Sequence, residues 1–249
     1  PPPPPFFFQA DAGIRDSSTS RGLGDVYKRQ ISDELGARVE LMGWQETPIV
    51  YIDNFYKNPD KVRSLALRCP GTNNPRICGG VPGVRVDMNM NLDHMHDVWK
   101  QIAKNVYALT MKEDPQFDQA CLQIPFSVNV TQSKDRVKIP HVDYPPETKG
   151  RGWAGLIYLN KPKECKGGTG FYTYKGQQVN PHQSGIWDKE FVDDSIGPWE
   201  LIHLAEMKYN RMIMYPDSIL HGAYDKPGYF EDDLYRLVQT FFIPLHFFS

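Results

Sequence analysis

The segment "IPHVDYPP", residues 139–146, sets His141 and Asp143 two positions apart between prolines. Along a strand, residues i and i+2 project to the same side, so an imidazole and a carboxylate here converge on one point. Such a pair suits a metal ion and calls for a third donor. His221 supplies a candidate. The stretch "NRMIMYPDSILHGAY" reads as an apolar strand, a Pro-Asp turn and a histidine followed by Gly222 and Ala223, small neighbours that leave room around the ring. Two histidines and one carboxylate make the facial set that suits non-haem Fe(II) and keeps coordination positions open.

The remaining histidines have plainer readings. His94 and His96 fall in a predicted helix about 200° apart at 100° per residue, so they cannot chelate together. His203 lies mid-strand in "WELIHLAEM" and His246 in the last few residues, and each reads as structural; His182, in the loop "NPHQSG", is a weaker functional candidate. The cysteines, Cys69, Cys78, Cys121 and Cys165, show no C-x-x-C spacing. That argues against a zinc ribbon or redox motif, and free thiols are expected.

The elements that would position these ligands can be read from pattern. "ARVELM" and "PIVYIDNF" have the β-branched and aromatic texture of strands. A helix should follow, with Asn58 as N-cap, Pro59 at the first helical position, Val62, Leu65 and Ala66 on its apolar face, and an end near Cys69-Pro70-Gly71. A longer helix is predicted from Leu92, Met95, Trp99, Ile102, Val106 and Leu109, spaced alternately by three and four. From about residue 122 the texture changes to short apolar runs, "LQIPFSVNV", "WAGLIYLN", "TGFYTY", "WELIHLA", "NRMIMYP" and "YRLVQTFFIPL", separated by turn residues. These predict a sandwich or barrel of mostly antiparallel strands, with the two helices buttressing one face of the sheet.

At 249 residues the chain is long enough for one sizeable core and short for two. The first 30 residues open with homopolymer runs and hold no sustained period, so they are expected to be a non-native or disordered tail beside a single domain over residues 31–249. Net charge is −2 with both signs interspersed, which offers no positive surface for a nucleic-acid backbone. No apolar run of membrane-spanning length and no signal-like start are present. No nucleic-acid or membrane partner is therefore expected, and the predicted location is the cytoplasm.

The order of segments also carries a resemblance. "HVD" matches the H-x-D of the Fe(II)- and 2-oxoglutarate-dependent dioxygenases, especially their prolyl-4-hydroxylase-like branch. "GLIYLNKPKECKGGTGFYTY" is similar to that family's strand ending in Tyr-Leu-Asn, followed by Gly-Gly and an aromatic strand; "RMIMYPDSILHGA" resembles its distal-histidine segment and "RLVQTFFI" its final strand. The match covers roughly residues 122–244. Farther upstream, "VYIDNFYKNPDKVRSLAL" and "VPGVRVDM" are similar to an uncharacterised oxygenase-like group.

The resemblance implies an α+β, mainly β fold: a double-stranded β-helix, or jelly roll, behind N-terminal helices. His141, Asp143 and His221 would be both metal ligands and catalytic centre. Fe(II) would be the metal and 2-oxoglutarate the cosubstrate, with ascorbate as a reductant. Arg236 would pair with the distal carboxylate of 2-oxoglutarate and Tyr158 would add a hydrogen bond. O2 and a small-molecule or peptide substrate would be the partners, hydroxylation the reaction, and succinate and CO2 the coproducts. One departure stands out: Arg236 follows His221 by 15 residues, so "YDKPGYFEDDLY" must be an insertion between strands. Residues 176–198 form a second polar insertion, in which Trp187 and His182 read either as substrate contacts or as loop packing. Two rival readings remain at this level, a cupin-type metalloenzyme that does not use 2-oxoglutarate and a non-catalytic jelly-roll module.

Overall fold

The computed structural model describes residues 36–69, 71–72, 83–87, 127–135, 140–143, 152–178 and 198–244. The predicted second helix over residues 92–109, with His94 and His96, lies outside them, as do residues 1–30, Cys78, Cys121, His182, Trp187 and His246. Strands β1 (Ala37–Met42) and β2 (Thr47–Ile52) form a hairpin, and α1 (Pro59–Arg68) follows. Asn58 caps α1 by accepting from the Lys61 backbone N–H at 3.3 Å, with Pro59 just inside. These are the start signals that the sequence carries. Val62 and Ala66 are buried on its inner face, and Arg63 donates to both Glu164 carboxylate oxygens at 3.1 Å.

Short strands β3 (Gly71–Thr72) and β4 (Val84–Asp87) precede β5 (Ser127–Thr131), β6 (Gly152–Tyr158), β7 (Gly168–Tyr174), β8 (Trp199–Glu206), β9 (Met212–Pro216), β10 (His221–Tyr224) and β11 (Arg236–Pro244). The larger sheet runs β1-β2-β9-β6-β11-β5-β4-β3 and the smaller β10-β7-β8. Every pairing among these strands is antiparallel. The fold is thus mainly β with one described helix, as the alternating short apolar runs predict.

The core lies between the sheets. Ala154, Leu156 and Tyr158 of β6, Ile213 and Tyr215 of β9 and Val238 of β11 pack with Phe171 of β7 and Ala205 of β8. Period-2 alternation puts these residues on one face of the larger sheet. Register extends that face: Thr240 pairs with Leu156, Phe242 with Ala154, and Val238 with Tyr158, so Arg236, two residues before Val238, projects inward as well. The segment between β10 (ending at Tyr224) and β11 (starting at Arg236) is anchored. Phe230 is fully buried in the core, its N–H is bonded by Ser133 Oγ at 3.1 Å, and Ser133 Oγ donates to Asp225 Oδ1 at 2.8 Å. Cys69 and Cys165 are free and half-buried.

Candidate metal centre

His141, Asp143 and His221 come together, each offering a ligand atom within 4.8 Å of the others. Two elements accomplish this. His141 forms an antiparallel bridge with His221, their backbones exchanging N–H···O bonds of 2.9 Å in both directions. The Asp143 N–H donates to the Asp217 carbonyl at 2.9 Å, which fixes the carboxylate beside the turn that leads into β10. The i, i+2 geometry inferred from "HVD" is therefore realised against the strand carrying the second histidine.

Donor spacing decides whether a cation fits. Asp143 Oδ2 lies 3.0 Å from His221 Nε2 and Asp143 Oδ1 3.6 Å from His141 Nε2, and the imidazole centroids are 4.5 Å apart. A small divalent ion about 2.1 Å from each donor holds neighbouring donors about 3 Å apart at right angles. The cluster is close to that spacing. His221 Nδ1 is bonded to the Ile219 carbonyl at 2.9 Å, which turns the Nε2 lone pair toward the cluster.

The electrostatics agree. Burial disfavours a charged His221, but the Asp143 carboxylate and the Ile219 carbonyl overcome it and hold the imidazole above its usual pKa. Burial likewise opposes the Asp143 anion, and His221 prevails and holds it below the usual carboxylate range. Each partner of this pair thus favours the charged form of the other. His221 and Asp143 are buried to different degrees, with side chains 6% and 16% exposed, while His141 at 32% is half-buried.

Arg236 is the first residue of β11, only 9% exposed. Its Nη2 donates to the Gly168 carbonyl at 3.3 Å, its guanidinium carbon stands 5.9 Å from the Tyr158 ring centroid, and its buried Nε has no hydrogen-bond partner among the described residues. Desolvation pulls its pKa down, against the pull of Tyr158 and Asp225. Tyr158 is fully buried, its hydroxyl 2.8 Å from Thr169 Oγ1 and 3.2 Å from the Ala205 carbonyl that accepts from it. His203, read as structural, pairs its Nε2 with the Tyr51 hydroxyl at 2.6 Å.

Two residues here escape sequence reasoning. The Tyr215 ring lies 4.7 Å from the His221 ring and edge-on to Phe171 at 4.9 Å. Burial, then the Asp143 and Tyr158 charges, raise its pKa well above the usual value, while Arg236 pulls it down, so one phenol senses both the ligand cluster and the buried cation. Asp217 is 9% exposed, and burial together with Asp143 pushes it up to about 6. Strand alternation from Ile213 and Tyr215 was the available signal for both.

Among known proteins, the family model described as "Family of unknown function (DUF6445)" matches residues 33–234. No curated protein matches. Among solved structures, HygX from Streptomyces hygroscopicus, crystallised with nickel, 2-oxoglutarate and hygromycin B, is similar at 12% identity and a TM-score of 0.45, over 81% of this chain and 84% of that one. SnoN, a non-heme alpha ketoglutarate dependent epimerase from nogalamycin biosynthesis, is similar at 13% identity and a TM-score of 0.40, over 92% and 84%. A prolyl 4-hydroxylase structure from Phytophthora capsici is similar at 13% and 0.39, over 79% of this chain and 58% of that one.

Proposed function

The chain belongs to DUF6445, a family of unknown function, and from that premise we propose that it is a non-haem Fe(II)- and 2-oxoglutarate-dependent oxygenase. One observation carries the reading: a His-Asp-His cluster shares the interior of the sandwich with a buried arginine whose Nε is unsatisfied. A buried guanidinium with an unsatisfied N–H is costly even with the Asp225 charge nearby, and a dicarboxylate bound at the cluster would relieve it. Strand order supports the reading too. β5-β11-β6-β9 within one sheet faces β10-β7-β8, with His141 bridged to His221 of β10, the interleaving expected of a double-stranded β-helix.

In this reading His141, Asp143 and His221 would hold Fe(II), and a set of only three protein donors would keep positions open for other ligands. Bound there, the iron supplies the coupled oxidation in which 2-oxoglutarate, O2 and a C–H substrate give succinate, CO2 and a hydroxylated product. The chain's own residues position the reactants. Arg236 grips the distal carboxylate through its planar fork, and the Gly168 carbonyl and the Tyr158 ring hold that fork in place. Tyr158, engaged with Thr169 and Ala205, stands beside the same carboxylate. Phe171 and Tyr215 shield His221 from water. The anchored segment carrying Phe230 packs into the same core. Ascorbate serves as the reductant that keeps the iron ferrous.

The test is succinate formation from 2-oxoglutarate with Fe(II), O2 and ascorbate. Iron-dependent succinate, absent in Asp143→Ala, is expected. Stoichiometric metal binding without any succinate, coupled or uncoupled, points instead to a metalloenzyme of cupin type, and absence of metal binding to a non-catalytic module.

A further inference from the structure

The two edges of the larger sheet are finished differently. At one end β3 is two residues long, too short to template another strand. At the other stands β1, six residues, with no strand on its outer edge among the described residues. At about 3.4 Å per residue that edge is about 20 Å long. The devices that commonly block such an edge are missing from it. β1 holds no proline and no lysine, and its register with β2 runs without a bulge from Ala37 opposite Ile52 to Met42 opposite Thr47.

Alternation gives β1 two unlike faces. Ala37, Val39 and Leu41 form the outer one, with Val39 43% and Leu41 59% exposed, and Trp44 in the turn that follows is 74% exposed. Arg38, Glu40 and Met42 form the inner one. Met42 is buried in the core, and the Arg38 guanidinium carbon lies 3.9 Å from the Tyr51 ring centroid. Glu40 pairs with Arg38 and stands 3.7 Å from His203 Nε2. An apolar strip along an open edge invites indiscriminate pairing unless a specific partner covers it.

The charges on the inner face identify that partner. An antiparallel ladder between two copies of β1, centred on Val39, sets Val39 opposite the second copy's Val39 and Ala37 opposite its Leu41. Arg38 then faces the second copy's Glu40, and Glu40 faces its Arg38. Each charge meets its opposite, and the two outer faces join into one apolar strip. Sliding the ladder by two residues sets Glu40 against Glu40 in one direction and Arg38 against Arg38 in the other, and sliding by one sets polar faces against apolar ones. The sequence of β1 is thus self-complementary in one register. We propose that β1 is a self-association edge, through which two copies of this chain pair about a twofold axis at Val39 and join their larger sheets into one. The contact is independent of the metal centre and of the oxygenase reading. A ladder of this length falls among small interfaces, below about 1,200 Å², so the dimer is one that dissociates on dilution.

Sedimentation equilibrium of the full chain, from about 1 to 200 μM, reads the association, with melting temperature as the check on folding. The unaltered protein should pass from monomer toward dimer across that range. Arg38→Glu and Glu40→Arg each set like charges opposite one another, and each should weaken self-association at least about tenfold. An equimolar mixture of those two variants restores opposite charges at both positions and should associate as the unaltered protein does. The double variant Arg38→Glu/Glu40→Arg should do the same on its own. Val39→Lys, at the axis, should leave a monomer with unchanged melting temperature. A monomer at every concentration overturns the proposal, as does a dimer that keeps its affinity in either single charge variant or in Val39→Lys. Loss in both charge variants with no recovery in the mixture or the double variant overturns it too, because the charges then act within one copy and not between two.

Discussion

The two ends of one sheet face are built on opposite principles. At the Arg236 end a single cation is buried among groups already committed to one another: Tyr158 to Thr169 and Ala205, and Gly168 to the guanidinium itself. At the His221 end three donors and a further carboxylate crowd together, and their mutual attraction is enough to reverse the effect of burial on both His221 and Asp143. In the proposed reading the first end receives an anion, and the second is a coupled cluster that would release a proton as a metal ion enters. Side chains that satisfy one another specify structure; those left unsatisfied specify a ligand.

The largest expected effect tests whether the Arg236 end is held by the segment between β10 and β11. Phe230→Ala removes a fully buried ring and should cost about 3–5 kcal/mol in denaturant unfolding. If the comparison holds, cosubstrate affinity of the folded fraction falls and Fe(II) affinity does not. A loss of Fe(II) affinity of equal size would show that the two ends are one unit.

At the other end, His221→Ala should weaken Fe(II) binding by at least about 100-fold, since loss of a donor exceeds the 10–100-fold effect typical of removing a group that merely orients one. Anaerobic metal titration reads this directly. Full iron affinity in the variant would dissolve the cluster as a metal centre.

The coupled cluster should also show in pH dependence. His221 is held above its ordinary pKa in the metal-free protein, so a metal must displace its proton at and below neutral pH. Fe(II) affinity should fall about tenfold per pH unit below the His221 pKa and level off above it. Titration from pH 5.5 to 8.5 measures the slope; a flat profile would mean that the imidazole does not ligate.

The smallest effect lies outside both ends. Asp53, bonded to Arg211 at 2.6 Å and to Lys208 at 2.9 Å, has its pKa lowered to about 2 by Arg211 first, with Lys208 assisting. A depressed folded pKa stabilises at pH above about 4 and loses that contribution as pH falls through about 2. The group is partly solvated, so Asp53→Asn should cost only about 1 kcal/mol at pH 7, with no change in either ligand affinity.

Much of this was legible in the residues. Period-2 patterning located the strands, since half-buried antiparallel sheets alternate, and Asn58-Pro59 marked the start of α1. His141 and Asp143 declared themselves because a strand aligns i with i+2. His221 was visible through its small neighbours. Arg236 was reached only by resemblance, because nothing local distinguishes a buried guanidinium from an exposed one on a strand. Asp217 was hidden in plain view within "YPDS": a Pro-Asp pair signals a turn, and its inward direction follows only from the register between β6 and β9. The 10-residue helix α1 starts where Asn58-Pro59 placed it, and the second expected helix lies outside the described residues.

The central claim is that both ends of the sheet face serve one bound dicarboxylate, and anaerobic titration of the Fe(II)-loaded protein with 2-oxoglutarate tests it most directly. The account predicts a saturable visible charge-transfer band. Arg236→Ala should retain that band at roughly 10- to 150-fold weaker affinity for each charge-assisted hydrogen bond lost, with Fe(II) affinity unchanged. Arg236→Lys should recover only part of the loss, because a point charge does not reproduce the fork. No band in the unaltered protein, or an Arg236→Ala titration that overlays it, would contradict the account.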